Sequence, residues 1–193
     1  MKFILLLMLT PLLLHSQPLE NELDQLLRAA FPGESDGGAV LVKSGDQIIY
    51  EGVSGMGQLQ KQQALQTGSN FRMASVTKQF TAAAIALLVK SGQVSLRDSL
   101  ARFFPDLPQA PGRIQVEQLL NHSSGIWDYE DKIPAARQTQ LSDADVLELI
   151  KGENNTYFTP GTQFRYSNTA YCLLALIVER VSGQSFAGFV RDH

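Results

Sequence analysis

Residues 74–80 read ASVTKQF, and residues 81–90 continue as TAAAIALLVK. The second stretch is apolar around almost the whole circumference of a helix, which is typical of a buried helix. Lys78 stands at its start, and a buried ammonium costs free energy unless it is hydrogen-bonded, paired or neutralised. The sequence therefore predicts a core helix over residues 75–89 and requires a physical reason for the lysine.

Ser75 and Lys78 lie three residues apart, so a helix would place both side chains on one face. A serine that opens a helix lies where backbone N–H groups stabilise developing negative charge. A partly desolvated lysine loses its proton more readily and can act as a general base toward such a serine. The alternative is a lysine that runs its alkyl stem along the helix and reaches water, because a chance S-x-x-K is common.

A second group of polar residues precedes another apolar helix, in RYSNTAYCLLALIVERVSG at residues 165–183. A cationic lysine stabilises the phenolate of a neighbouring tyrosine, so Tyr166 is a candidate to move a proton between nucleophile and leaving group. Asn168 is a candidate to hold a substrate carbonyl. A packed aromatic ring and a helix cap are the alternative interpretations of these two residues.

The remaining chain predicts an α+β fold with one hairpin and several helices. A helix over residues 18–31 ends at Pro32, and two β-rich runs, 39–43 and 47–53, are joined by a turn that contains Gly45. Capping and apolar spacing predict further helices. These cover residues 98–103 with Asp98 as the cap, 116–121, 142–150 with a capping box, and 169–181.

The N-terminal residues 1–17, MKFILLLMLTPLLLHSQ, have the layout of a secretory signal peptide. Their apolar run is too short for a stable membrane span, and Pro11 interrupts it. The single cysteine, Cys172, allows no intramolecular disulfide and is expected as a packed thiol. We expect a secreted protein, in the bacterial periplasm, whose mature chain divides into residues 18–60 and 61–193.

Composition excludes some classes of partner. The chain of 193 residues has a formal net charge of −3 and no basic run, so a nucleic-acid partner has no support. Its three histidines, His15, His122 and His193, are dispersed, and no metal site or other cofactor is expected. A small-molecule or peptide substrate fits better, and the oligomeric state stays open.

Four segments together resemble the serine β-lactamase-like and penicillin-binding hydrolases, which include class C β-lactamases, D-aminopeptidases and esterases. The segments are AVLVKSGDQIIYEGVSG, FRMASVTKQFTAAAIALLVKSGQVSL, IQVEQLLNHSSGI and PGTQFRYSNTAYCLLALIVERVSGQSF. The resemblance covers residues 22–193 and implies a β-lactamase/transpeptidase-like fold with a helical region and an N-terminal hairpin. By the same resemblance Ser75 is the nucleophile, Lys78 its proton acceptor, Tyr166 a second acid–base group and Asn168 a substrate-positioning residue.

Three aromatic residues lie in or near these segments. The resemblance implies that His122, in NHSSG, belongs to a structural loop rather than to a Ser-His pair. Trp127 and Tyr129 either line a substrate cleft or pack in the interior.

The resemblance is incomplete after Tyr166. Members of the family carry a Lys-Thr-Gly or His-x-Gly strand beside the nucleophile, and no such motif follows here. That strand would supply an oxyanion donor, whose loss slows such reactions by roughly 10²- to 10³-fold. We expect a serine hydrolase that forms an acyl-enzyme from an amide, ester or β-lactam. We also expect this sequence to be a fragment of a longer gene product, without the C-terminal strands of the family. One alternative is a natural short form whose chemistry is impaired. Another is a binding or sensor module that keeps the cleft without efficient turnover.

Overall fold

The computed structural model describes residues 16–33, 36–133 and 140–193. These residues form two compact units that divide between Arg72 and Met73. The sequence prediction places the division after residue 60. The predicted signal segment lies outside the described residues except at Ser16 and Gln17, which begin the first helix.

The first unit consists of one helix and two small sheets. Helix α1, Ser16–Ala30, precedes an antiparallel hairpin of β1, Gly38–Ser44, and β2, Gln47–Ser54. Gly45 in the turn has a φ of 55°, a left-handed conformation that glycine adopts without steric cost. The predicted hairpin is therefore confirmed.

Contacts with α1 and with the residue that follows it support this hairpin. The hydroxyl of Tyr50 donates to Asp24 Oδ1 at 2.7 Å, and Ser54 Oγ donates to the carbonyl of Phe31 at 2.6 Å. Tyr50 and Leu27 are both buried. Such packing matters because a two-stranded hairpin alone is marginally stable in water.

A second strand pair in this unit was not predicted from the sequence. Strand β3, Met56–Gln58, pairs with β4, Gln63–Ala64, around a 3-10 turn at Leu59–Lys61. Both strands are short and rich in glutamine, so they lack the β-branched and alternating pattern that identifies strands.

The second unit is helical, and most of its longer helices were predicted from the sequence. Its described residues form seven α-helices. These are α2, Thr77–Lys90; α3, Leu100–Phe103; α4, Gln109–Gly112; α5, Val116–Leu120; α6, Asp143–Lys151; α7, Asn168–Ser182; and α8, Phe186–Asp192.

Helix α7 lies at the centre of the hydrophobic core of this unit. Four of its branched apolar side chains have no exposed surface: Leu173, Leu174, Ile177 and Val178. Full burial of one such side chain contributes about 1.5 to 3 kcal/mol, so the core fixes this helix strongly. It packs against α2, α5, α6 and α8. The N-terminal end of α7 is thereby held at a defined place.

Helix caps determine where the helices begin. Ser167 Oγ accepts the N–H of Ala170 at 3.2 Å and caps α7, while Ser142 and Asp145 form the predicted capping box of α6. The predicted cap of α3 was wrong. Ser99 occupies that position, because the carboxylate of Asp98 is already engaged by the N–H of Ser95 and by Arg102.

None of the described helices is by itself long and apolar enough to cross a membrane. Helices α7 and α8 pass the same test only when taken together, with a bend of 73° between them. Much of α7 is buried among the other helices of the unit.

Candidate active site

Ser75 lies in a 3-10 turn, Ala74–Val76, that leads directly into α2. The sequence predicts that this serine opens the helix, and the turn places its exposed side chain just before the first residue of α2. Ala74 has a φ of 44°, a left-handed conformation that is costly for a residue with a Cβ. Backbone strain of this kind concentrates at functional sites, where the surrounding structure enforces it.

Lys78, in the first turn of α2, is held by several groups of the second unit. Its Nζ donates to Asn168 Oδ1 at 2.7 Å and to Ser75 Oγ at 3.3 Å. It also lies 4.8 Å from the ring centre of Tyr166 and 5.4 Å from that of Tyr171. A carbonyl oxygen and two aromatic faces are partners for an ammonium group. These contacts, rather than free hydration, explain the lysine at the start of an apolar helix.

Tyr166 lies against the same serine. A hydrogen bond of 2.7 Å joins its Oη to Ser75 Oγ. Burial raises the pKa of Tyr166, but interactions with Lys78 and Ser75 outweigh that effect and leave the pKa below its usual value. The phenol is therefore both adjacent to the candidate nucleophile and easier to deprotonate than an ordinary tyrosine.

Asn168 links the lysine to a carboxylate. Its Oδ1 accepts from Lys78, and its Nδ2 donates to Glu130 Oε1 at 3.0 Å. An ammonium only donates and a carboxylate only accepts, so these two partners fix the orientation of the amide. The backbone N–H of Asn168 donates to Asp128 Oδ2 at 2.6 Å. Because Ser167 caps α7, the side chain of Asn168 is free to make these contacts.

His122 supports the site from behind the tyrosine. Its Nδ1 accepts the N–H of Ser167 at 3.2 Å, and its ring centre lies 4.6 Å from that of Tyr166. Burial lowers the pKa of His122, and the positive charge of Lys78 lowers it further, whereas Asp128 raises it. These contacts give His122 a structural part in positioning Tyr166.

Four side chains form a stack beside the loop that ends at Tyr166. The ring of Trp127 lies 4.2 Å from that of Tyr157, with Lys132 4.1 Å from the indole and Arg165 3.9 Å from the phenol ring. The indole N–H of Trp127 donates to Asn155 at 2.8 Å. Trp127 therefore packs in this stack, and the residue next to Tyr166 is anchored by a cation–π contact.

A cavity of about 370 Å³ opens beside the nucleophile. It is lined by Ala74, Ser75, Thr77, Lys78, Thr81, Tyr129, Glu130, Asp143, Asn168, Tyr171, Cys172, Ala175 and Phe186. Tyr129 thus faces the cleft, in agreement with one of the two interpretations of its sequence position. Burial raises the pKa of the half-buried Cys172 thiol, so this cysteine is a poor nucleophile.

Asp128 and Glu130 were not predicted from the sequence to be parts of the site. The only available signal was their place in WDYED, just after the Gly125 turn. Across residues 16–33, 36–133 and 140–193, no three His, Cys, Asp or Glu side chains gather in a way that would hold a metal ion.

Comparison with known proteins identifies the family. The model of the family described as Beta-lactamase matches residues 23–193. The chain belongs to the beta-lactamase family. This confirms the resemblance found in the sequence, and the α+β architecture agrees with it.

Relatives of the chain include hydrolases and penicillin-binding proteins. It is 34% identical to penicillin-binding protein 4* of Bacillus subtilis over 157 residues, which cover 80% of this chain and 34% of that protein. A D-amino acid amidase from Ochrobactrum anthropi, solved with L-phenylalanine, shares 27% identity. Its TM-score is 0.70, and the match covers 91% of this chain and 47% of the amidase.

A penicillin-binding protein from Bacillus halodurans gives a TM-score of 0.68 at 29% identity, over 87% of this chain and 51% of the other. The chain thus spans about half the length of these solved relatives and about a third of the curated one.

The environment of Tyr166 predicts a distinct ultraviolet titration. A hydrogen bond to Asp24 raises the pKa of Tyr50, and burial raises the pKa of the other three tyrosines, Tyr129, Tyr157 and Tyr171. One phenolate should therefore form below the ordinary tyrosine pKa of about 10, and the other four above it. Absorbance at 295 nm during a pH titration measures this.

Tyr166→Phe should remove the early step, while Tyr157→Phe should leave it in place. Lys78→Met should move the early step to higher pH, because the stabilising positive charge is lost. An early step that survives in Tyr166→Phe would contradict the assignment.

Proposed function

We propose that this chain is a serine hydrolase that forms an acyl-enzyme, with Ser75 attacking the carbonyl carbon of an amide, ester or lactam. The observation that carries the proposal is the hydrogen-bonded set of Ser75, Lys78, Tyr166 and Asn168. In this set the hydroxyl of Ser75 is hydrogen-bonded to the phenol of Tyr166, whose pKa is lowered, and to the amino group of Lys78. Such a set is the pattern of an activated nucleophile.

The first chemical step follows from these positions. Ser75 Oγ forms a bond to the carbonyl carbon while its proton leaves, and the carbonyl electron pair moves to oxygen. The resulting oxyanion collapses and expels an amine or alkoxide, which takes up a proton. Water then repeats the sequence on the acyl-enzyme and releases the acid.

Distances favour Tyr166 as the group that takes the first proton. Its Oη lies 2.7 Å from Ser75 Oγ, whereas Lys78 Nζ lies 3.3 Å away. The partners of Lys78 suit an ammonium, which has no lone pair to accept a proton. In this route the phenolate of Tyr166 receives the proton and passes it to the leaving group. Lys78, expected from the sequence to be the acceptor, instead stabilises the phenolate.

The N-terminal end of the helix favours the oxyanion. The first N–H groups of a helix have no partner within it, and their dipoles favour negative charge. We therefore assign the backbone N–H of Ser75, in the 3-10 turn before α2, as an oxyanion donor. We propose that Asn168 positions both the substrate and the ammonium group of Lys78.

The relatives support amides as the substrate class. A D-stereospecific amidohydrolase from Streptomyces shares 26% identity at a TM-score of 0.69, alongside the D-amino acid amidase. We propose that this chain acts on small molecules or peptides of the same chemical kind. Export to the periplasm, in keeping with the apolar N-terminus, belongs to the same proposal.

Hydrolysis assays test the function directly. We expect the purified chain to hydrolyse at least one of p-nitrophenyl acetate, D-phenylalanine amide and a chromogenic β-lactam. Ser75→Ala should lower kcat by at least about 10³-fold, because removal of a nucleophile abolishes the covalent route.

Ser182→Ala, at the far end of α7, is the matched control and should retain full activity. Equal rates for the parent and Ser75→Ala would contradict the proposal. An acyl adduct on Ser75 that is never released would favour the binding or sensor alternative.

The proton route predicts different effects for two Lys78 variants. Lys78→Arg keeps a positive charge but cannot accept a proton, whereas Lys78→Met removes both properties. We expect kcat/KM for p-nitrophenyl acetate to fall about 10-fold in Lys78→Arg and about 10³-fold in Lys78→Met, with folding checked by circular dichroism. Equal loss in the two variants would return the role of proton acceptor to Lys78.

A further inference from the structure

The cavity beside Ser75 contains an excess of negative groups. Among the residues that line this cavity, Lys78 is the one cation. The side chains of Glu130 and Asp143, which are both carboxylates, line the same cavity. The ammonium of Lys78 is already engaged by Ser75 and Asn168. The cleft therefore offers more negative than positive charge to an incoming molecule.

Glu130 is exposed but held in place. Its backbone N–H donates to Asp128 Oδ1 at 3.1 Å, and the buried carboxylate of Asp128 also accepts the N–H of Asn168. The side chain of Glu130 accepts from Asn168 Nδ2 at 3.0 Å. A carboxylate fixed from both backbone and side chain keeps a defined direction at the rim of the cleft.

The charge of Glu130 has no cationic partner in the described part of the chain. No Lys, Arg or His of residues 16–33, 36–133 and 140–193 forms an ion pair with it. One of its two oxygens bonds to the amide of Asn168, and a carboxylate has about four acceptor positions. Glu130 thus retains capacity to accept hydrogen bonds from a ligand.

A chain of three hydrogen bonds connects this carboxylate to the nucleophile. It runs from Glu130 to Asn168, from Asn168 to Lys78 and from Lys78 to Ser75. In a substrate attacked by Ser75, the group on the carbon next to the carbonyl lies two bonds from the reacting centre. Asn168 keeps Lys78 apart from Glu130, so a cation at Glu130 does not need to displace the lysine.

We propose that Glu130 binds the free ammonium group of the substrate, so that the site selects amides or esters of unblocked amino acids. This inference rests on the proposed function and specifies its substrate class. A charge-assisted hydrogen bond contributes about 1.5 to 3 kcal/mol, which corresponds to roughly 10- to 100-fold in affinity.

Two boronic acids that differ only in the amino group test the proposal. They are 1-amino-2-phenylethylboronic acid and 2-phenylethylboronic acid, each of which forms a reversible oxygen–boron bond with a reactive serine. Isothermal titration calorimetry at pH 7 gives both Kd values without requiring turnover. We expect the amino compound to bind the parent roughly 10- to 100-fold more tightly, and neither compound to bind Ser75→Ala.

Glu130→Gln keeps an oxygen for Asn168 and removes the charge, so the ratio of the two Kd values should fall to about 1 to 3. Glu117→Gln, an exposed change of the same kind outside the cavity, should keep the parent ratio. Equal affinity of the parent for both compounds would overturn this inference alone. The inference would also be overturned if Glu130→Gln weakened the binding of both compounds equally, since Glu130 would then act only through Asn168. Binding of neither compound to the parent would overturn the proposed function and this inference with it.

Discussion

The hydrogen bond between Lys78 and Asn168 is the contact on which the arrangement of the site depends. It joins the first turn of α2 to the first residue of α7, two positions 90 residues apart in the chain. An ammonium at the start of an apolar helix requires a strong acceptor, and the amide oxygen at the start of the other helix provides one. The same contact places Ser75 and Tyr166 within one hydrogen bond of each other.

The helical core and the polar site depend on each other. Buried residues of α7 set the position of its N-terminus, and the Ser167 cap keeps Asn168 available for Lys78. Asp128 and His122 then hold the backbone on either side of the α7 start, through the N–H groups of Asn168 and Ser167. The strained turn at Ala74 completes this framework, because its geometry directs Ser75 toward Tyr166.

The sequence predicted the parts of this framework that have local signals. Apolar spacing located α2 and α7, the Gly45 turn located the hairpin, and the capping box at Ser142 located α6. Local signals are weaker where partners are distant in the chain. Glu130 was missed for this reason, because its significance comes from Asn168, 38 residues away. Asp98 was misassigned although its partners Ser95 and Arg102 are close in sequence, because a carboxylate at this place can either cap the helix or close the turn before it.

The central claim is that these four side chains make Ser75 a reactive nucleophile. Intact-mass spectrometry after exposure to a fluorophosphonate tests it most directly, on protein whose folding is verified by circular dichroism. The account predicts one adduct per chain, located on Ser75 by peptide mapping and absent from Ser75→Ala. A folded parent chain that remains unmodified, or that carries its adduct on another serine, would contradict it.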